Sequence, residues 1–113
     1  MRNRPGTKRR PKAPPHLSGE SRKFWRWAVE EFELEESDLR QLQLYCEHLD
    51  GAAEARRQYT AEGRTFLDAR GKPRPHPAVG QHRDHSIAAA RILRELRLGE
   101  PAQDARLPRL GAK

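Results

Sequence analysis

The sequence predicts an all-α fold: a small helical domain of about three main helices with a long central helix, a proline-rich loop or hairpin before the last helix, and a disordered basic N-terminal arm. Three observations lead there. Apolar residues recur at spacings of three and four in three separate segments, the period of a helix that buries one face. Glycines and prolines cluster near the ends of those segments, where helix starts and stops are expected. Residues 1–16, "MRNRPGTKRRPKAPPH", carry six basic side chains, no acid and almost no aliphatic ones, so they have little to bury.

In chain order, Pro14 and Pro15 hold the backbone extended ahead of Leu17, where order begins. Ser18 is a hydroxyl N-cap for a first helix over 19–32. Phe24, Trp25, Ala28, Val29 and Phe32 share one arc of that helix, its core face, while Trp27 falls on the polar side beside Lys23, Arg26 and Glu30. Ser37 is the expected N-cap of a second helix, with Asp38 at its positive end. Leu39, Leu42, Cys46, Leu49 and Ala53 form its apolar stripe. Arg40, Gln43, Glu47, Asp50, Glu54 and Arg57 follow the same rhythm on another side. This helix runs over 38–62 to Gly63 and spans roughly 36 Å, with Gly51 the one place where it can bend or break.

"RTFLDARGKPRPHP" holds a β-prone piece at 65–67, a turn at Arg70-Gly71 and three prolines at alternate positions, so it reads as a loop or ragged hairpin. Arg64, Arg70, Lys72 and Arg74 make it a second basic projection. Pro77 suits the first position of a third helix reaching about Leu98. His82, His85, Ala89, Ile92 and Leu96 lie on one stripe of it, with Arg83, Arg91, Arg94 and Arg97 on another side. The expected organisation is a disordered basic arm at 1–16, a helical domain at 17–99 and an irregular tail at 100–113.

At 113 residues, 35% hydrophobic and 35% charged, with mean hydropathy −1.06, the chain has little apolar area to offset its ordering entropy. A lone copy is expected to be marginal, and association is the remedy. The formal net charge of +7 favours polyanionic partners. No apolar run has the length of a membrane span or of a signal peptide core, so no membrane partner is expected. The single cysteine, Cys46, admits no intrachain disulfide and reads as a small buried residue.

His76, His82 and His85 raise the possibility of a metal. Two rings separated by three residues on a helix can share an ion, but His76 precedes Pro77 and Asp84 points away from His85, so the set lacks a convincing third ligand. His82 and His85 therefore read as buried or interfacial, and His76 as a residue that meets free amides at the helix entrance. No glycine-rich phosphate loop and no activated nucleophile is visible. Glu30, Glu31, Glu33, Glu35 and Glu36 read as a solvated acidic face or as the counterpart of a basic surface on a neighbouring subunit. No cofactor, metal or catalytic residue is expected.

"PPHLS" at 14–18, "FWRW" at 24–27, Asp38 with "LYCEHLDGAAEA" at 44–55, "HPAV" at 76–79 and "LRLGEPAQDARLPRL" at 96–110 form an ordered series. In that order and spacing the chain resembles the small terminase subunits of tailed bacteriophages, the short helical branch typical of long-tailed siphophages. The resemblance implies a non-enzymatic packaging factor in the host cytoplasm. Such a factor assembles as a ring, binds double-stranded viral DNA and delivers it to the large terminase subunit, which carries the ATPase and nuclease.

On that footing Arg2, Arg4, Lys8, Arg9, Arg10 and Lys12, followed by Arg22, Lys23 and Arg26, are the expected phosphate contacts. Trp27, Leu39, Leu42, Leu49, His82, His85, Ile92 and Leu96 are the expected oligomer interface, with Trp27 also a candidate contact for the large subunit. Two rival readings are a small metal-dependent nuclease built on His76, His82, His85 and Asp84, and a dimeric helix-turn-helix regulator, which requires the central helix to be split at Gly51.

Overall fold

The computed structural model describes residues 2–3 and 10–98. Three helices carry the fold: α1 (Gly19–Glu31), α2 (Glu36–Glu62) and α3 (Pro77–Leu96). Short strand pairs accompany them, β1 (Arg2–Asn3) with β2 (Phe32–Glu33) and β3 (Thr65–Leu67) with β4 (Pro73–Pro75), both antiparallel. The expected helix order, the long central helix and the hairpin are all present.

Local chemistry sets the boundaries. The Ser18 hydroxyl accepts from the Ser21 amide and starts α1. Ahead of it the two prolines make a turn, not an extended run: the Leu17 amide donates to the Pro14 carbonyl, with Pro15 at the position where a fixed φ favours a turn. α2 begins at Glu36, two residues before the start expected behind a Ser37 cap, because Glu35 is the N-cap and the Asp38 carboxylate accepts from the Glu35 amide. Gly63, at φ 99°, ends it in a conformation that L side chains rarely adopt. α3 stops at Leu96, short of the expected Leu98, because Arg97 turns left-handed at φ 60° and brings Leu98 back against the core.

α2 and α3 are antiparallel and make the most extensive contact in the molecule. Their direction follows from the pairs His76–Glu62, His82–Tyr59, His85–His48 and Glu95–Gln41. α1 packs on the first half of α2, with Phe24 against Tyr45 and Ser21 against Asp50. The main core is built by Trp25, Ala28 and Val29 of α1, Leu42, Tyr45 and Cys46 of α2, and Ala89 and Leu96 of α3. A second cluster at the hairpin end holds only Ala55, Tyr59 and Ala78, with Val79 beside it.

The stripe of α2 departs from the expected one. After Cys46 the buried positions are Ala52, Ala55 and Tyr59, whereas Ala53 is exposed and Leu49 is 36% exposed. α1 and α3 cover different sides of α2, so the buried line shifts where α1 ends its contact. For the same reason Glu47 and Asp50, assigned to the outer face by their rhythm, lie against the start of α1.

Candidate nucleic-acid interface

The basic side chains converge where residues 10–17 run along α1. Trp25, buried in the core, donates its indole Nε1–H to the Pro11 carbonyl at 3.0 Å. Ala13 packs on the core, and Arg22 Nη1 donates to the carbonyls of Pro15 at 3.2 Å and Leu17 at 2.7 Å. This part of the predicted arm is thus strapped to the helix, because the arc that buries Trp25 also turns its one polar atom toward the Pro11 carbonyl, which accepts its hydrogen bond. A shallow concavity of about 350 Å³ opens between strap and helix, lined by Arg10, Lys12, Arg22 and Arg26, with Glu30 at its edge.

Four cations around one opening, three of them exposed, suit a row of phosphates. Arg22 also has a structural task, since its guanidinium closes the turn before α1. Lys23 is exposed outside the concavity. The backbone of Arg2 pairs with Glu33, at the far end of α1. Arg4, Lys8 and Arg9 lie outside the described residues, as does the tail at 100–113.

α1 is fixed to α2 by a carboxylate that sequence reasoning missed. Asp50 accepts from the Ser18 amide at 2.8 Å, the Ser18 hydroxyl at 2.6 Å and the Ser21 hydroxyl at 2.7 Å. Partial burial opposes its charge, but these donors win and hold the carboxyl below its ordinary range. The signal was present in Ser18 and Ser21, a capping pair that wants an acceptor from outside its own helix. Cys46 beside this knot is buried, and burial together with the nearby Asp50 and Glu47 pushes its thiol up to about 12. It is a protonated packing residue that donates to the Ser21 carbonyl, not a nucleophile.

The histidines part company. His76 Nδ1 accepts from the Ala78 amide at 2.9 Å, the expected capping role, and its Nε2 lies 2.6 Å from Glu62. His82 packs edge-on against Tyr59. His85 meets His48 at 2.9 Å between their Nδ1 atoms, across a gap left open by Gly51, where a β-carbon would stand 2.7 Å from the His85 ring. The three histidines of the nuclease set are therefore dispersed among three partners and Asp84 lies beside Arg83, and no group of three or more His, Cys, Asp or Glu side chains able to hold a metal occurs among the described residues. α2 is unbroken through Gly51, which removes the short second helix that a helix-turn-helix needs.

Several expected interface residues serve this chain's own core. Leu42 and Leu96 are 0% and 1% exposed, Leu39 and Ile92 pack on the same cluster, and His82 and His85 are half-buried between α2 and α3. Their stripes face each other within one copy because the hairpin folds α3 back along α2. Leu49 and Trp27 do reach the surface. Trp27 is 41% exposed and rests on Phe24 and Phe32 with ring centroids 5.3 and 5.7 Å apart.

A family model described as phage terminase, small subunit, matches residues 22–113 of the chain. No curated protein and no solved structure matches significantly. Among the described residues no helix is long and apolar enough to cross a membrane.

Proposed function

The chain belongs to the phage terminase small-subunit family, and from that membership in the machinery of phage DNA packaging we propose that it acts as the subunit that captures DNA. In this reading it binds duplex viral DNA as a ring-shaped oligomer and delivers it to the large terminase subunit, which performs the ATP-driven and nucleolytic chemistry. It acts in the host cytoplasm and contributes no catalytic residue of its own.

The observation that carries the DNA-binding step is the concavity where Arg10, Lys12, Arg22 and Arg26 meet. Each phosphate neutralised there releases a condensed counterion, so log affinity falls by about 0.9 for every phosphate contact per tenfold rise in salt. A ring repeats the patch and multiplies a weak contact into a firm grip.

The test is titration of duplex DNA at several salt concentrations by fluorescence anisotropy, comparing the parent with an Arg10→Glu/Lys12→Glu/Arg26→Glu variant. Arg22 is left in place because it closes the turn before α1. The variant should bind at least about tenfold more weakly, with a shallower salt slope by roughly 2 to 3. Parent-like affinity and slope would remove this surface from the model.

A further inference from the structure

Among the described residues, the ribbon of β3 and β4 stands clear of both core clusters. Every strand residue is exposed, including Phe66 at 46% and Leu67 at 68%. Its turn is nevertheless well built. Asp68 Oδ1 accepts from the Arg70 and Lys72 amides, Oδ2 holds Arg74 at 2.9 Å, and backbone bonds join Asp68 to Lys72 and to Gly71. A two-stranded ribbon buries too little to hold itself firmly, and large apolar side chains presented on such an element mark a contact surface.

Charge narrows the partner. Arg64, Arg70, Lys72 and Arg74 outnumber the single acid Asp68. Arg74 is occupied by Asp68 and Arg64 lies over the Tyr59 ring at 4.7 Å, which leaves Arg70 and Lys72 exposed at the turn.

The same chain carries a matching recess. Between α1 and α2 a groove of about 720 Å³ is lined by the apolar Phe24, Leu49 and Ala53, by three acids, Glu20, Asp50 and Glu54, and by His16 and Arg57. Asp50 takes hydrogen bonds from the neutral groups of Ser18 and Ser21, so its charge is kept, while Glu54 is shared with Arg57. The acidic corner at Glu33, Glu35 and Asp38 is a poorer receiver, because the leucines lining it, Leu34 and Leu96, are already buried in the core. The ribbon does not fill its own groove, since its side chains stay exposed.

We propose that the ribbon of one copy docks in the α1–α2 groove of a second copy, with Phe66 and Leu67, which project from opposite faces of β3, against the apolar residues of its two sides, Phe24 of α1 and Leu49 and Ala53 of α2, and Arg70 and Lys72 beside Glu20 and Asp50. The contact joins two different patches, so each copy retains one of each for the next neighbour, the heterologous geometry from which rings close. It deepens the oligomer reading above and rests on it. Duplex DNA also accepts a two-stranded ribbon in its major groove, but such interfaces are polar and strongly positive, and the bare Phe66 and Leu67 favour protein.

Light scattering on the full-length chain tests the contact, with circular dichroism and Tm confirming that each variant is folded. Phe66→Ser/Leu67→Ser and Arg70→Glu/Lys72→Glu on the ribbon and Glu20→Lys in the groove should each keep the helical signal and weaken association about tenfold or more. Mixing the two charge-reversed proteins should restore the large species, because opposite charges meet again. Full assembly of the single variants, or absence of rescue in the mixture, overturns the contact. A ribbon variant that assembles fully but loses DNA affinity assigns the ribbon to nucleic acid instead. A parent protein that stays monomeric defeats the oligomer reading together with this contact, whereas an assembling parent with unaffected variants defeats this contact alone.

Discussion

At Gly51 the His85 ring stands where a β-carbon would otherwise go, and the ring in turn holds His48. A glycine inside a helix ordinarily costs about 1 kcal/mol relative to alanine, so Gly51→Ala would stabilise an open helix. Here the sign should reverse. The new methyl must displace the ring and break its hydrogen bond, a net loss of about 1 to 3 kcal/mol in chemical denaturation. Adding His85→Ala should recover part of that loss, a non-additive pair. Stabilisation by Gly51→Ala alone would mean that the ring does not occupy that gap.

Asp50 makes a second prediction at this scale. Its folded carboxyl is depressed, so its contribution is fully present above the ordinary aspartate value of about 3.9 and is lost as pH falls through the lower folded value. Glu47 acts in the same direction, held down by Gln43 and then His16. Tm should therefore decline on acidification below about pH 4. Asp50→Asn should lower stability by about 1 kcal/mol at neutral pH and flatten that acid limb. An unchanged limb would show that α1 is not pinned through this carboxylate.

Among elements, α2 has two kinds of apolar position that look alike by spacing. Leu42 is sealed between α1 and α3, while Leu49 opens into the α1–α2 groove. Leu42→Ala should cost about 2 to 5 kcal/mol in urea unfolding, because it leaves a cavity. Leu49→Ala should cost less than about 1 kcal/mol, and on the docking proposal its effect appears in assembly instead. Equal destabilisation by the two would mean that Leu49 is as enclosed as Leu42. The strap at residues 10–17 belongs to this scale too: it is ordered by Trp25 and Arg22, side chains of another element, and not by any propensity of its own.

Over the whole molecule, packing is uneven. The main core joins all three helices, whereas the hairpin end holds three buried residues and a ribbon with both faces bare. Neighbouring copies that cover this end add stability by mass action, as any partner bound only to the folded state does. Tm should therefore rise with protein concentration, by several degrees across about a hundredfold range. A Tm independent of concentration would mean that one copy is stable alone, and the assembly part of the proposed function would lose its physical motive.

The sequence by itself determined the elements. Period, capping serine, breaker glycine and the Pro77 start are local properties, so three helices, their approximate ends and the hairpin were legible without knowing what packs on what. The Trp27 exposure and the His76 cap were legible for the same reason. Tertiary structure alone decided which stripe meets which. It turned Leu42 and Leu96 inward within one copy, moved the buried line of α2 to Ala55 and Tyr59, paired His48 with His85, and gave Asp50 to Ser18 and Ser21. It also laid Arg10 and Lys12 beside Arg22 and Arg26. A helix records its apolar face in its own residues, but the partner of that face depends on contacts dozens of positions apart, which no local spacing contains.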